Sequence, residues 1–269
     1  MSAVPDISAE PYVLKSEADG VVTLTMNRGS RFNPLSEEMM QALQTELAAV
    51  ATDDAVRVVV LAGAGRAFCA GHDLKQMING NGAGPSSGYY DKLFAQCSRL
   101  MLAIQQLPQP VIARVQGIAT AAGCQLVASC DLAVAASDAR FAVSGITVGL
   151  FCGTPSVALT RNIGRKQAME MLLTGEFIDA QTARERGLVN RVVGADQLDA
   201  EITRLAASIV AKPAVAVALG KQLFYKQLEM GVAGAYQLAG QTMTCNMMDE
   251  SAQEGVQAFV DKRKPNWQR

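Results

Sequence analysis

The chain has 269 residues, 49% of them hydrophobic and 18% charged, a length and mix that suit one large globular domain, or one domain with a helical appendage, able to bury a substantial core. Its 24 basic and 25 acidic residues nearly cancel, and without a like-charge run nothing in the charge draws nucleic acid or an anionic membrane. The longest apolar stretch, IVAKPAVAVALG, is broken by Lys212 and Pro213 and falls short of a bilayer span.

The first twenty residues, MSAVPDISAEPYVLKSEADG, have neither a basic start with an apolar run nor the Arg/Ser-rich, acid-poor character of an organelle leader. They read as the start of a soluble, cytoplasmic protein. Alternation in VVTLTMN predicts a strand, and EEMMQALQTELAAV carries apolar residues at helical spacing behind the capping residue Ser36. RVVVLAG predicts the next strand. Gly63-Ala64-Gly65 follows it, but the rest of a G-x-G-x-x-G pattern is missing, so no dinucleotide fingerprint is present.

GRAFCAGHDLKQM, residues 65–77, then puts small residues ahead of a helix-prone segment. The Gly/Ser-rich stretch NGNGAGPSSG, 79–88, reads either as a loop beside a site or as a tolerated insertion. KLFAQCSRLMLAIQQL is helical, VIARV is a strand, and GIATAAGCQLVASCD, 117–131, is a small-residue turn leading into a helix. DLAVAAS and RFAV are further strands, and the alternation as a whole argues for a layered α/β fold. After about residue 153 the strand signal fades, VNRVV excepted; RKQAMEMLLTG, DAQTARERG and the chain from Leu198 onward read as helical. The expected division is a core over 1–200 and a helical region over 201–269.

Six cysteines, at 69, 97, 124, 130, 152 and 245, include no C-x-x-C pair, and His72 is the only histidine. No metal site is expected, and the thiols read as buried and reduced.

The two small-residue turns share a property. A helix N-terminus exposes unpaired N–H groups, which can hold an anion if side chains stay clear. Ala121, Ala122 and Gly123 clear such a space, and Cys69-Ala70-Gly71 does the same in the earlier turn. Close strand-to-helix packing would also select small residues. Two such turns facing one another would pinch a carbonyl oxygen between two N–H groups, the arrangement of an oxyanion hole.

The segments TMNRGSRFNPLSEEM, AFCAGHDLKQM, PVIARVQGIATAAGCQLVASCDLAVA, RFAVSGITVGL, EMLLTGEFIDAQTARERGLVNRVV and EGVQAFVDKRKPNW together resemble the crotonase, or enoyl-CoA hydratase/isomerase, superfamily over nearly the whole chain. Within it they are most similar to the enoyl-CoA hydratase domain-containing branch of mitochondrial type, here without a transit peptide. The resemblance implies an α/β crotonase fold of repeated ββα units, with a C-terminal helical region that builds homotrimers, often paired as hexamers. It also implies an acyl-CoA substrate, with coenzyme A as part of the substrate and no separate cofactor. By motif position the carbonyl would lie between the N–H groups of His72 and Ala122. Ala70, Asp73, Leu74 and Lys75 would line the CoA side, and Arg31, Phe32 and Asn33 a loop near the nucleotide. Phe259 and Lys262 would contact the CoA of a neighbouring subunit.

The same resemblance exposes a departure. Hydratases of this family hold two glutamates, at the positions of Gln125 and Gly145. An amide has no proton to exchange near neutral pH and glycine has no side chain, so a general acid-base pair worth roughly 10² to 10⁴ in rate is missing. The residues left to consider are the His72 side chain as a proton carrier, Ser144, Thr147 and Cys152 as acyl-pocket contacts, and Asp131 as a structural carboxylate. Three readings stay open: a hydratase/isomerase-family enzyme that stabilises a thioester enolate, a decarboxylase of a malonyl-type CoA thioester in which departing carbon dioxide leaves the enolate without a base, and a non-catalytic acyl-CoA binding or scaffold protein. Fold alone does not choose among them.

Overall fold

A computed structural model describes residues 10–82 and 84–267; of the twenty residues read as lacking a leader, 1–9 lie outside them. The chain builds one strand pair after another, each followed by helix. β1 (Val13–Ala18) and β2 (Val21–Met26) precede α1 (Glu37–Ala51), and β3 (Val58–Gly63) and β4 (Ala67–Cys69) precede α2 (Leu74–Asn79) and α3 (Ser87–Gln106). β5 (Val111–Val115) and β6 (Ile118–Thr120) precede α4 (Ala122–Ser129), and β7 (Leu132–Ala136) and β8 (Arg140–Ala142) precede α5 (Gly153–Leu159). Then come α6 (Arg165–Thr174), β9 (Ile178–Asp179), α7 (Ala180–Arg186), β10 (Arg191–Val193), α8 (Leu198–Val210), α9 (Ala214–Leu228), α10 (Val232–Met247) and α11 (Glu250–Val260).

Each later pair gives one strand to each of two sheets. The large sheet runs β1-β2-β3-β5-β7-β10, parallel except for the β1/β2 hairpin. The small sheet runs β4-β6-β8-β9, with β4, β6 and β8 parallel. The crotonase-type ββα repeat is thus realised as a pair of stacked parallel ladders. β4 is only three residues long and falls inside a stretch that reads in sequence as turn, because so short a run shows no period.

Local sequence explains the elements. In β2 the side chains of Val22, Leu24 and Met26 are buried while Thr23 and Thr25 face outward, the period-2 pattern of a half-buried strand. Ser36 accepts the Met39 N–H and caps α1, whose buried Met39, Met40, Leu43, Leu47 and Val50 form one stripe. That stripe meets Leu93, Cys97, Leu100 and Ile104 of α3 in the main core.

On the other face of the large sheet, Val58, Val60, Ile112, Val134 and Ala136 pack under Leu198, Ile202, Leu205 and Ala206 of α8. The expected division between 200 and 201 therefore falls inside a helix that belongs to the core. Helical periodicity alone does not tell a helix covering a sheet from one in an appendage; the packing changes at Ala211–Pro213, where α8 ends and the chain turns into α9.

One buried ion pair ties α9 to the core. Lys221 Nζ donates to Asp131 Oδ2 (2.6 Å) and to the carbonyls of Ile104 (2.8 Å) and Gln109 (2.9 Å), so all three ammonium protons have acceptors. Asp131 also accepts from Tyr225 Oη–H (2.9 Å) and Val111 N–H (2.7 Å). Burial pulls the Lys221 pKa below its ordinary value, against the upward pull of the Asp131 carboxylate. Past this anchor, large apolar side chains stay exposed on α9 to α11, among them Phe224, Leu228, Tyr236, Met243 and Phe259. Among the described residues no single helix is long and apolar enough to cross a membrane.

Breaking a buried pair from one side leaves an uncompensated charge, which destabilises by about 3–5 kcal/mol. Lys221→Met is expected to lower the unfolding free energy by that much, read as a lower denaturant midpoint at an unchanged slope, and a loss of less than about 1 kcal/mol, the range of an exposed pair, would contradict the anchoring role.

Candidate functional site

Because β4, β6 and β8 are parallel, the turns that leave them open on the same edge of the small sheet. These turns carry Ala70 to Asp73, Ala121 to Ala122, and Val143 to Val148. Two close approaches set their spacing. Gly71 has φ +90, and a Cβ built on it would lie 2.9 Å from Ala121 Cβ and 3.2 Å from Ala122 N. A Cβ on Gly123 would overlap the Cys69 carbonyl oxygen. Packing accounts for Gly123; Gly71 serves both the left-handed turn and the approach to the Ala122 amide.

Ala121, the residue before α4, has φ 51 and ψ −122, a conformation that costs an alanine of order 1–3 kcal/mol. Its own N–H bonds Ala142 O (3.0 Å) and its carbonyl accepts from Gln125 N–H (3.1 Å). Ala122 N–H, at the first helical position, has no partner among the described residues, and neither does His72 N–H. Two backbone donors thus stand on adjoining turns without acceptors, the arrangement that holds an oxygen bearing partial negative charge.

They open into a cavity of about 320 Å³ whose wall combines Ala70, His72, Leu74, Met77, Phe94, Ala121 and Ala122 with Ser144, Gly145, Thr147, Val148 and the run from Leu150 to Pro155. No Asp, Glu, Lys or Arg is among them. The His72 ring is fixed by Nδ1, 3.3 Å from Leu35 O, and by an edge contact with Phe94 at 5.8 Å between centroids. The Leu35 carbonyl can only accept, so Nδ1 carries the proton and Nε2 the lone pair. Nε2 is buried without a partner. Burial lowers the His72 pKa, the bond to Leu35 opposing it, so the ring is neutral at pH 7. Cys152 Sγ accepts the Gly145 N–H (3.2 Å), and burial raises its thiol pKa. Ser144 Oγ lies 2.8 Å from Thr120 Oγ1, and Thr147 Oγ1 donates to Ser144 O (2.7 Å).

Several residues read from motif position stand elsewhere. Gln125 is buried inside α4, its Oε1 accepting from Cys97 Sγ (3.8 Å), and it does not reach the cavity wall. Gly145 is on the wall, but a Cβ there would come 2.5 Å from Leu150 O and 2.7 Å from Cys152 Sγ. Asn33 is fully buried: its Oδ1 accepts Arg28 N–H, and its Nδ2 donates to the carbonyls of Ala64, Ala67 and Phe68, leaving the side chain nothing to offer a ligand. Phe32, at φ 62, lies under the Arg66 guanidinium at 4.6 Å and accepts Ala70 N–H at its carbonyl. Asp73 caps α2 through Lys75 N–H and Gln76 N–H. Arg31 and Lys75 are exposed, as are Phe259 and Lys262 at the end of α11, away from this wall.

Met77, Phe94 and the rim residues Val148, Leu150 and Phe151 were not among the expected site residues. The run VGLF, apolar but without strand or helix period, was the available signal. Among the described residues no group of three or more His, Cys, Asp or Glu is placed to hold a metal ion. All six cysteines are free; the expectation of burial fails for Cys245, which is exposed on α10 among other exposed side chains such as Met243 and Met247. A second crevice, about 440 Å³, lies on the outer face of the large sheet beside the Arg114–Asp199 pair and shares none of these turns.

The enoyl-CoA hydratase/isomerase family model matches residues 16–269. Enoyl-CoA hydratase domain-containing protein 3, mitochondrial, of Rattus norvegicus is 43% identical over 260 residues, covering 96% of this chain and 85% of its own. A crystal structure of an enoyl-CoA hydratase from Mycobacterium smegmatis superposes with a TM-score of 0.93 at 62% identity, covering 96% of this chain and 99% of its own. That of human enoyl-CoA hydratase domain-containing protein 3 does so with a TM-score of 0.91 at 42% identity, covering 95% and 100%. The mitochondrial names of the rat, mouse, frog and human relatives overturn the cytoplasmic expectation; the composition of the first twenty residues was not a measure of compartment.

As His72 is the sole histidine, its resonance titrates without overlap. The midpoint is expected below the ordinary 6.5. Since the unfolded chain then binds the proton more readily, this group's effect on stability is absent above pH 6.5 and becomes a loss as pH falls from there toward the folded pKa. A midpoint at or above 6.5 would contradict the buried, neutral ring. The double variant Gln125→Glu/Gly145→Glu is expected to gain no hydratase activity, because one carboxylate would face Cys97 and the other would displace the 145–152 loop; measurable hydration of crotonyl-CoA by a folded double variant would overturn that geometry.

Proposed function

The chain belongs to the enoyl-CoA hydratase/isomerase family, and on that premise we propose that it binds an acyl-CoA thioester with the carbonyl oxygen between the N–H groups of His72 and Ala122, stabilising the enolate formed there. The observation that carries this reading is the pair of partnerless backbone donors on adjoining turns at an uncharged cavity. Such donors act where negative charge develops, and removing one lowers turnover by roughly 10²–10³.

The two-glutamate mechanism of hydration has no counterpart on this wall. Its titratable groups are His72, neutral, and Cys152, held as the thiol. The activity is that of a lyase or isomerase of the family working without the usual carboxylates. The lack of any carboxylate on the wall also supports a second reading, a non-catalytic acyl-CoA binding protein. Decarboxylation of a malonyl-type thioester is less well supported, since no Lys or Arg faces the acyl space. Coenzyme A enters as part of the substrate. The exposed apolar side chains of α9 to α11 support assembly as a homo-oligomer, a trimer or a dimer of trimers, in which Phe259 and Lys262 reach the CoA of a neighbouring subunit.

Mass spectrometry of 2-enoyl-, 3-enoyl- and malonyl-type CoA thioesters incubated with the protein tests the reading. A gain of water, a moved double bond or a loss of carbon dioxide names the reaction; recovery of every thioester unchanged alongside clear equilibrium binding selects the binding protein. Ala122→Pro, checked for an intact fold by its thermal transition, is expected to lower turnover about 10²–10³-fold, or thioester affinity if there is no turnover. An unaffected variant refutes the carbonyl site.

A further inference from the structure

The outer face of the large sheet carries a second cavity, apart from the carbonyl site. Thr25 on β2 pairs with Ala62 on β3, and Arg114 on β5 stands one residue past the Leu61/Ala113 pair, so the three share one row. Neighbouring strands lie roughly 4.8 Å apart, which sets Thr25 and Arg114 roughly 10 Å apart across the small Ala62 methyl. Thr23 and Val60 form the row before it. Asp199, at the start of α8, closes the side, and together these residues border the crevice of about 440 Å³. It lies towards the carboxyl ends of parallel strands, where open α/β sheets take ligands.

Its polar groups hold unused hydrogen-bonding capacity. Arg114, with 22% of its side chain exposed, gives Nε–H to Asp199 Oδ1 (2.5 Å) and one Nη1–H to Gln116 Oε1 (3.1 Å). A guanidinium has five N–H groups, so three remain without a partner among the described residues. The Thr23 and Thr25 hydroxyls have none there either. Of the ion pair, the carboxylate is the more hydrated: the Asp199 side chain is 79% exposed, so water screens its charge more than that of the guanidinium. Donors therefore outnumber acceptors, and the net potential favours an anion. Two of the free N–H groups match the planar fork of a carboxylate, and Val60 and Ala62 offer apolar surface for its carbon chain. A phosphate dianion would set a second negative charge beside Asp199 with no second cation on the wall to meet it. We propose that this crevice is a ligand site for a small monocarboxylate, gripped by Arg114 with the Thr25 hydroxyl as a further donor. It is independent of the carbonyl site at His72 and Ala122.

The test is calorimetric titration of the full chain, at low ionic strength, with propanoate, its uncharged isostere propanamide, and inorganic phosphate. Propanoate is expected to bind saturably, and propanamide at least about tenfold more weakly, since the charge-assisted grip is lost. Arg114→Gln should weaken propanoate at least about tenfold, and Thr25→Val about fivefold, the scale of one hydrogen bond. Asp199→Asn should tighten it about two- to fivefold by removing the competing charge, a gain that loss of folding cannot imitate. Ala122→Pro should leave propanoate binding within about twofold, which separates the crevice from the carbonyl site. Propanamide binding as tightly as propanoate, an Asp199→Asn variant that binds no better, or binding that survives Arg114→Gln and fails in Ala122→Pro overturns the site. Tighter binding of phosphate than of propanoate overturns the carboxylate class, and no saturable binding by about 10 mM, weaker than a millimolar affinity, overturns the proposal as a whole.

Discussion

How closely the turn after β4 can approach the start of α4 governs the whole site. Gly123 brings the helix against the Cys69 carbonyl, and Gly71, at φ +90, brings the chain before His72 against the Ala122 amide. A side chain at either position would part the two turns and separate the two donors. The strain held at Ala121 belongs to the same constraint: its positive φ turns the chain sharply enough that Ala121 N–H pairs across to β8 while the next N–H is left without an acceptor. Folding leaves these donors unsatisfied, which costs stability unless a ligand supplies the oxygen.

The rest of the architecture keeps that approach rigid. Parallel pairing of β4, β6 and β8 aligns their exits, and the main core behind them is continuous from the large sheet through α1, α3 and α4. The Lys221–Asp131 pair reaches from α9 to the residue that follows α4 and its cap, so the helical region is fastened to the same segment that bears the candidate donors. The ion pair is buried and completed by Tyr225 and three backbone groups, the condition under which such a pair holds a register instead of merely decorating a surface.

Much of this was legible in the sequence. The alternation of VVTLTMN, the Ser36 cap and the small-residue turns each report a local constraint, and local constraints are what a one-dimensional pattern records. What it did not record is direction and crowding. Gln125 occupies a motif position, yet within a helix buried on all sides its amide turns to Cys97. Gly145 reads as a lost side chain, whereas the space beside it is filled by Leu150 and Cys152. Asn33 reads as a ligand contact and instead bridges four backbone groups. α8 reads as the start of an appendage because a helix that covers a sheet and one that leaves it share the same period. For Gln125, Asn33 and α8 the deciding partners are distant in sequence, and at Gly145 they are brought back by a loop of five to seven residues whose course has no period to read.

The distribution of thiols sets how the chain meets oxidants and electrophiles. Burial pushes the thiol pKa of Cys69, Cys97 and Cys124 up to about 12, and raises those of Cys130 and Cys152 as well. The thiolate is the reactive form, so burial disfavours reaction of these five at neutral pH, Cys152 on the cavity wall included. Cys245, exposed on α10, is left as the address for a thiol-directed label. The native cysteine set thus carries one exposed chemical handle, on α10, and a label placed there reports on whether that apolar face is open or covered by another copy of the chain.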